Sequence, residues 1–193
     1  MRTIVLASTS PYRLQLMRQL ELSFHVAAPR YKEQMDSSVS AELLVKHQAL
    51  QKAKSLGDKY DDALIIGSDQ VFVDARHRVL GKPGTAEKAI EQLLEMQGRK
   101  HTFYTGLAVY DSASGESLTE FETYSVSMRE LTEDQIKHYV DKENPVDCAG
   151  SFKIEGLGIA LMEQMAGNDY TSLIGLPLIL LVNMLSHFEV EVL

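Results

Sequence analysis

One cysteine, no tryptophan and only five prolines occur among the 193 residues of this chain, and the first of these scarcities excludes a class of fold support. The lone thiol, Cys148, leaves no partner for an internal disulfide and favours a reducing compartment. No apolar run is long enough to cross a bilayer. The richest, Ile174 to Leu185, is broken by Gly175, Pro177 and Asn183, whereas a span needs about 20 apolar residues. The opening Met1-Arg2-Thr3 passes at once into a short strand-like run, with neither the apolar core nor the cleavage site of a signal peptide. Positive charge is scarce too: 19 Lys and Arg against 27 Asp and Glu leave a net charge of −8. That balance argues against nonspecific binding to nucleic acid or an anionic membrane, but it leaves room for a local cationic pocket around a phosphorylated ligand. The six histidines show no metal-ligand spacing such as HExxH, and no histidine stands beside Cys148 to make a thiol nucleophile. A cytoplasmic protein with neither nucleic-acid nor membrane partners is expected.

What is present is an ordinary globular composition, 45% apolar and 24% charged, at a length that suits one domain or one elongated unit with a smaller lobe. There is no repeat and no low-complexity tract; the longest weakly structured stretch is polar, Pro29 to Val39. Thr3 to Ala7 reads as a buried strand. Ser10 then caps a helix with Pro11 at its first position and Leu14, Met17 and Leu20 on one face. Phe24 to Ala27 reads as a second strand. Residues 40–56 form a longer helix, with Leu43, Leu44, His47, Leu50 and Lys54 at helical spacings. Ala63 to Gly67 is a strand ending in Ser68-Asp69-Gln70, and Val71 to Val73 pairs with Arg78 to Leu80 as a hairpin. Thr85 caps a helix with the face Ala86, Ile90, Leu93 and Leu94. Two β segments, His101 to Tyr110 and Ser117 to Met128, flank a turn. Thr132 and Gln135 form a capping box for a helix ending near Val140. Cys148 to Gly158 is a glycine-containing loop, and Gly175-Leu176-Pro177 opens a terminal helix. Alternating strands and helices followed by paired strands make a mixed α/β fold with a partly antiparallel sheet.

Four segments could carry chemistry. Ser8-Thr9-Ser10-Pro11-Tyr12-Arg13 joins a strand to a helix N-terminus, whose unpaired N–H groups suit phosphate. Arg13 lies in the first turn, where the helix dipole disfavours a cation and a polyphosphate would relieve the conflict; a serine cap followed by a solvated arginine reads equally well. Asp69 at the end of an apolar strand suits a metal ligand or general base, although a turn aspartate is commoner. Glu33, Lys52 and the Gly81-Lys82-Pro83 turn are each more often surface than site. Together they supply what Mg²⁺-assisted phosphoanhydride cleavage needs, a carboxylate for the metal and lysines for the phosphate charge. The loop Cys148-Ala149-Gly150-Ser151-Phe152-Lys153-Ile154-Glu155-Gly156 allows close backbone approach to a ligand, or is simply a glycine turn.

Leu6-Ala7-Ser8-Thr9-Ser10-Pro11-x-Arg13, Gly67-Ser68-Asp69, Gly81-Lys82-Pro83, Ala149-Gly150-Ser151 and Gly175-Leu176-Pro177 occur in that order, and this pattern resembles the Maf family along essentially the whole chain. The resemblance implies a single Maf-type domain over residues 1–193. Its fold would be a two-lobed mixed sheet flanked by helices, shared with inosine triphosphate pyrophosphatases and commonly dimeric. It implies hydrolysis of a nucleoside triphosphate to the monophosphate and pyrophosphate with a divalent cation, Mg²⁺ or Mn²⁺. Asp69 would accept the proton of the attacking water and, with Glu33, hold the metal, while Ser8, Arg13, Lys52 and Lys82 would hold phosphates. The usual Glu-Lys-Ala reads Gln51-Lys52-Ala53 here.

Branches of the family differ in the residue after the aspartate and in the later glycine loop. Gln70 and Glu155 resemble the branch acting on 7-methyl-GTP; Tyr12 stands where that branch is expected to carry tryptophan. A carboxylate at 155 can accept the N1–H and exocyclic amine of guanine, whereas O4 or O2 of a pyrimidine would oppose it. N7 methylation makes the base cationic, which favours both a carboxylate and an aromatic face. The amide of Gln70 can serve either polarity. Competing readings are the same chemistry on dTTP or UTP, and a nucleotide-binding regulator of cell division.

Overall fold

Ser10, as read from the sequence, accepts a hydrogen bond from the Arg13 backbone and starts a helix with Pro11 in its first turn, directly after a strand whose last four residues are buried. The computed structural model describes residues 2–34 and 39–193, so positions 35–38 of the polar stretch 29–39 lie outside the described residues. In chain order the elements are β1 (Thr3–Ala7), α1 (Pro11–Arg18), β2 (His25–Ala27), α2 (Ala41–Lys54), β3 (Ala63–Val73), β4 (Val79–Leu80), α3 (Ala86–Met96), β5 (Lys100–Asp111), β6 (Ser117–Met128), α4 (Glu133–Glu143), β7 (Met162–Gly167), α5 (Tyr170–Ile174) and α6 (Leu178–His187). The strands order as β2-β1-β3-β5-β6-β7, with β4 added to β3. The fold is mixed α/β with helices on a mixed sheet, as expected.

Two compact units are built from this chain. The first comprises Met1–Gln70, Tyr104–Thr123 and Asp169–Leu193, the second Val71–Phe103 and Tyr124–Asn168. In the first, β1 pairs parallel to both β2 and β3. The chain leaves β1 through α1 to reach β2 on one side, then crosses through α2 to β3 on the other. Right-handed crossovers in opposite directions place their helices on opposite faces of the sheet. Burial follows that rule and the two-residue period of a strand. Ile4, Leu6, Leu64 and Ile66 pack with Leu16 and Met17 of α1 and Leu181 and Leu185 of α6. Val5, Ala7, Ala63 and Ile65 pack on the other face with Ala53 and Leu56. A reversal of this kind beside β1 is where open α/β sheets leave a crevice beyond the carboxyl ends of their strands.

The helix over α2 meets the sheet through glycine. A Cβ on Gly67 of β3 would lie 2.1 Å from the Ala49 carbonyl oxygen and 2.9 Å from the Ala53 nitrogen, and one on Gly106 of β5 would lie 2.2 Å from the Val45 carbonyl oxygen. Backbone therefore rests on backbone. The face that α2 buries is Leu44, Val45, Gln48, Ala49, Lys52 and Ala53, rotated from the expected stripe of Leu43, Leu44, His47, Leu50 and Lys54, of which only Leu44 is buried; Leu43 is exposed. The expected stripe followed the large apolar residues, but contact at this distance selects small ones and carries Gln48 and Lys52 inward with them.

In the second unit, β3 ends by pairing antiparallel with β4, Phe72 opposite Leu80 and Val73 opposite Val79, around a cluster of Phe72, Phe103, Phe152 and His101 rings. The capping box of Thr132 and Gln135 forms as expected, and α4 continues past Val140 to Glu143, where Asn144 ends it in a left-handed conformation. Strand β7 and helix α5 were not anticipated. The first is a mostly exposed strand pairing with β6, and the second is only five residues long.

The glycine contact yields a direct expectation. Gly67→Ala should cost about 1–3 kcal/mol or more, because the new methyl meets main chain that no rotamer change can clear. Chemical denaturation of the variant measures it, and stability within about 0.5 kcal/mol of wild type would show that α2 yields freely.

Candidate active site

Strand β3 does not stop at Gly67. It runs unbroken for 11 residues through Ser68, Asp69 and Gln70, so Asp69 lies inside the strand rather than at the expected strand's end, and the alternative of a turn aspartate falls away. Extension is kept by β5 on one side. On the other side, β1 pairs only as far as Leu6 opposite Ile66 and β4 begins at Phe72. From Gly67 to Gln70 that edge has no strand partner among the described residues. Alternation then sends Asp69 to the α2 face with Gly67, and Ser68 and Gln70 to the face of α1 and α6.

On the α2 face, Lys52 Nζ lies 2.6 Å from Asp69 Oδ1 and 2.5 Å from Glu33 Oε1, with the Ser68 carbonyl oxygen at 3.4 Å. Lys52 and Asp69 are almost wholly buried, whereas Glu33 is largely exposed. Burial pushes the Asp69 carboxyl above the ordinary carboxylate range, against the pull of Lys52 and Arg13 and with a further push from Glu33. A carboxyl so raised is a stronger proton acceptor once ionised, as a general base requires.

On the opposite face, Arg13 Nε donates to the Gly175 carbonyl oxygen at 2.8 Å, and Ser68 Oγ donates to the same oxygen at 2.8 Å. The Arg13 Nη groups make no hydrogen bond among the described residues. Burial pulls the Arg13 guanidinium down, while the charges of Asp69 and Glu33 support it. The conflict with the helix dipole expected for Arg13 is thus met partly inside the protein, by a carbonyl and two carboxylates. Ser8 is buried, and its Oγ accepts from the Ser10 backbone N–H, so it shapes the turn into α1. Tyr12 stands partly exposed on α1. Gln70 donates from Nε2 to Thr105 Oγ1, to the Ser172 carbonyl oxygen and to the Leu173 carbonyl oxygen.

Lys82 and Glu155 belong to the second unit, and both are exposed. Burial pushes the Cys148 thiol up, and Lys153, Glu155 and Lys82 lie near enough to act on it, so the Gly81-Lys82-Pro83 turn and the glycine loop share one neighbourhood. Lys153 Nζ donates to the Glu143 carbonyl oxygen at 2.7 Å. Glu143 also accepts from the Leu157 backbone N–H and so braces the loop that presents Glu155.

Sequence reasoning passed over Thr105, Asp169, Thr171 and Ser172. Asp169 caps α5 and also accepts from the Ile179 backbone N–H at 2.9 Å, and the Thr171 hydroxyl accepts from the Leu178 N–H at 2.9 Å. These bonds fix the segment that presents the Gly175 carbonyl. The spacing Asp169-x-Thr171 before Gly175-Leu176-Pro177 is the capping signal that could have revealed them.

If Lys52 is the counter-charge to Asp69, Lys52→Met should raise the Asp69 carboxyl still further, because burial is then opposed mainly by Arg13. A ¹³C titration of the Asp69 carboxyl reads this without reference to activity; an unmoved or lowered midpoint would remove Lys52 from that role.

A family model described as "Maf-like protein" matches residues 3–188. The 7-methyl-GTP pyrophosphatase of Syntrophotalea carbinolica is 67% identical over 193 residues, covering 100% of this chain and 98% of that protein. Those of Pseudomonas aeruginosa and Colwellia psychrerythraea are 46% and 44% identical, each covering 100% of this chain and 100% and 96% of their own lengths. Part of the chain is also similar to the solved structure of the Staphylococcus aureus Ham1 protein, at 16% identity and a TM-score of 0.48, covering 66% of this chain and 72% of that one. With the family pattern matched from residue 3 to residue 188 and relatives similar along their full lengths, the chain belongs to the Maf family.

Proposed function

We propose that the chain is a cytoplasmic nucleoside triphosphate pyrophosphatase that converts 7-methyl-GTP to 7-methyl-GMP and pyrophosphate, with residues 1–193 working as one Maf-type domain and as a homodimer. The observation that carries this reading is the buried Asp69, held above the ordinary carboxylate range and 2.6 Å from Lys52, on a strand edge without a strand partner among the described residues. The names of the full-length relatives support the substrate.

In this mechanism Asp69 takes a proton from water as the water oxygen bonds to phosphorus and the α–β phosphoanhydride breaks, with the electron pair leaving on pyrophosphate. Lys52, Arg13 and Lys82 balance the phosphate charge. Glu33 and Asp69 are the residues that would hold a divalent cation. The convergence of two hard carboxylate oxygens on one cationic nitrogen supports this reading, since Mg²⁺ asks for one or two carboxylates plus substrate phosphates. Such an ion, Mg²⁺ or Mn²⁺, would supply charge neutralisation at the phosphates. The base is read by Glu155 and Gln70 and stacked by Tyr12.

Two outcomes test this. Asp69→Asn should lower kcat by about 10²–10⁴-fold while nucleotide affinity stays within a few-fold; activity near wild type would reject Asp69 as the base. A pyrophosphate-release screen over 7-methyl-GTP, GTP, dTTP and UTP with Mg²⁺ should rank 7-methyl-GTP first, and Glu155→Gln should lower its specificity constant relative to dTTP by about ten- to a hundred-fold. A wild-type preference for dTTP or UTP would overturn the substrate, and an unchanged ratio in Glu155→Gln would place base reading elsewhere.

A further inference from the structure

A glutamine amide has two opposite hydrogen-bonding ends, and the end that meets a ligand decides which ligand chemistry fits. At Gln70 the choice is made by its surroundings. Nε2 lies 3.0 Å from Thr105 Oγ1, 2.8 Å from the Ser172 carbonyl oxygen and 3.1 Å from the Leu173 carbonyl oxygen. The two carbonyls can only accept. The Thr105 hydroxyl could do either, but its single proton is given to the Ser172 carbonyl oxygen at 2.8 Å, so towards Gln70 it too can only accept. Turning the amide over would set Oε1 against three acceptors and leave buried groups unpaired.

The surroundings are themselves fixed. Thr105 is fully buried, on the same strand as Gly106, whose backbone meets α2. The Ser172 hydroxyl and backbone N–H both donate to the Asp169 carbonyl oxygen, at 2.6 and 3.1 Å. Nothing among the described residues donates to Gln70 Oε1.

We propose that Thr105 is a positioning residue that locks the Gln70 amide so that only its oxygen is offered to the ligand, making position 70 an acceptor that selects nucleobases presenting N–H groups there. The inference rests on the reading above that Gln70 meets the base, and it resolves the polarity that the sequence leaves open. Guanine offers N1–H and an exocyclic amine; a pyrimidine carbonyl at the same place would oppose Oε1. Of the three acceptors only the Thr105 hydroxyl belongs to a side chain, and its contribution draws on the hydroxyl, not on bulk.

The test pairs Thr105→Val, which keeps the shape and deletes the hydroxyl, with Thr105→Ser, which keeps the hydroxyl. The ratio of kcat/KM for 7-methyl-GTP to that for dTTP should fall about three- to ten-fold in Thr105→Val and stay within about two-fold of wild type in Thr105→Ser. Equal ratios in Thr105→Val and wild type would overturn Thr105 as the positioning residue, as would an equal loss in both variants. A second reading needs no variant to fold: in wild-type protein the Gln70 side-chain NH₂, assigned by its loss in Gln70→Ala, should exchange with solvent far more slowly than an exposed glutamine amide. Exchange at the exposed rate would overturn the proposal. If wild type shows no preference for 7-methyl-GTP, the proposed substrate fails, while slow exchange at Gln70 would still stand for the lock itself.

Discussion

Main chain pressed on main chain is the constraint from which the first unit follows. Gly67 and Gly106 let α2 approach β3 and β5 until the helix carbonyls of Val45 and Ala49 occupy the space that side chains would take. Only at that separation does Lys52, one turn beyond Gln48, reach Asp69 at 2.6 Å. A lysine ammonium and a carboxylate buried together are costly unless closely paired. The glycines therefore matter to the charges as much as to the packing. Removing one of them would disturb an ion pair that it never touches.

The same strand serves two purposes because of its period. Ile65, Gly67 and Asp69 look towards α2, whereas Leu64, Ile66, Ser68 and Gln70 look towards the other side. Polar residues appear on β3 where its β1 partner has ended, so an apolar, fully paired half passes directly into a polar half with one bare edge. Asp69 and Gln70 are neighbours in sequence with opposite surroundings: one faces a cation, and the other faces three acceptors.

Much of this was legible from local rules. The Ser10 and Thr132 caps, the Pro11 start and the paired strands β5 and β6 obey short-range chemistry, which survives folding unchanged. Of the candidate residues, Glu33 and Asp69 both meet Lys52 on the α2 face, whereas Lys82 of the same expected group lies in the second unit. What local rules missed has tertiary causes. Hydrophobic periodicity pointed α2 by Leu43, Leu44, His47 and Leu50, of which only Leu44 is buried, because glycine contact rewarded Val45, Ala49 and Ala53 and drew Lys52 inside. Ser68-Asp69-Gln70 reads as the end of a strand because its polar residues follow an apolar run; pairing with β5 carries the strand on through them. Strand β7 has exposed Glu163 and Gln164 and shows little of the alternation by which strands are recognised. Thr105 lay unnoticed inside an apolar strand, because a buried hydroxyl reveals its role only through its partners.

Arg13 and Ser68 both take hold of position 175 through a main-chain oxygen, and this shapes how the protein can vary. A carbonyl is supplied by every amino acid, so no substitution at 175 can delete the acceptor. What can be lost is its placement. The backbone there has φ of +122°, a conformation that side-chain-bearing residues rarely adopt, so every residue except glycine would strain the turn or move the oxygen. The position is therefore indifferent to side-chain chemistry and strict about backbone shape. Neutral drift is closed to it by conformation, although the codon encodes no functional group at all.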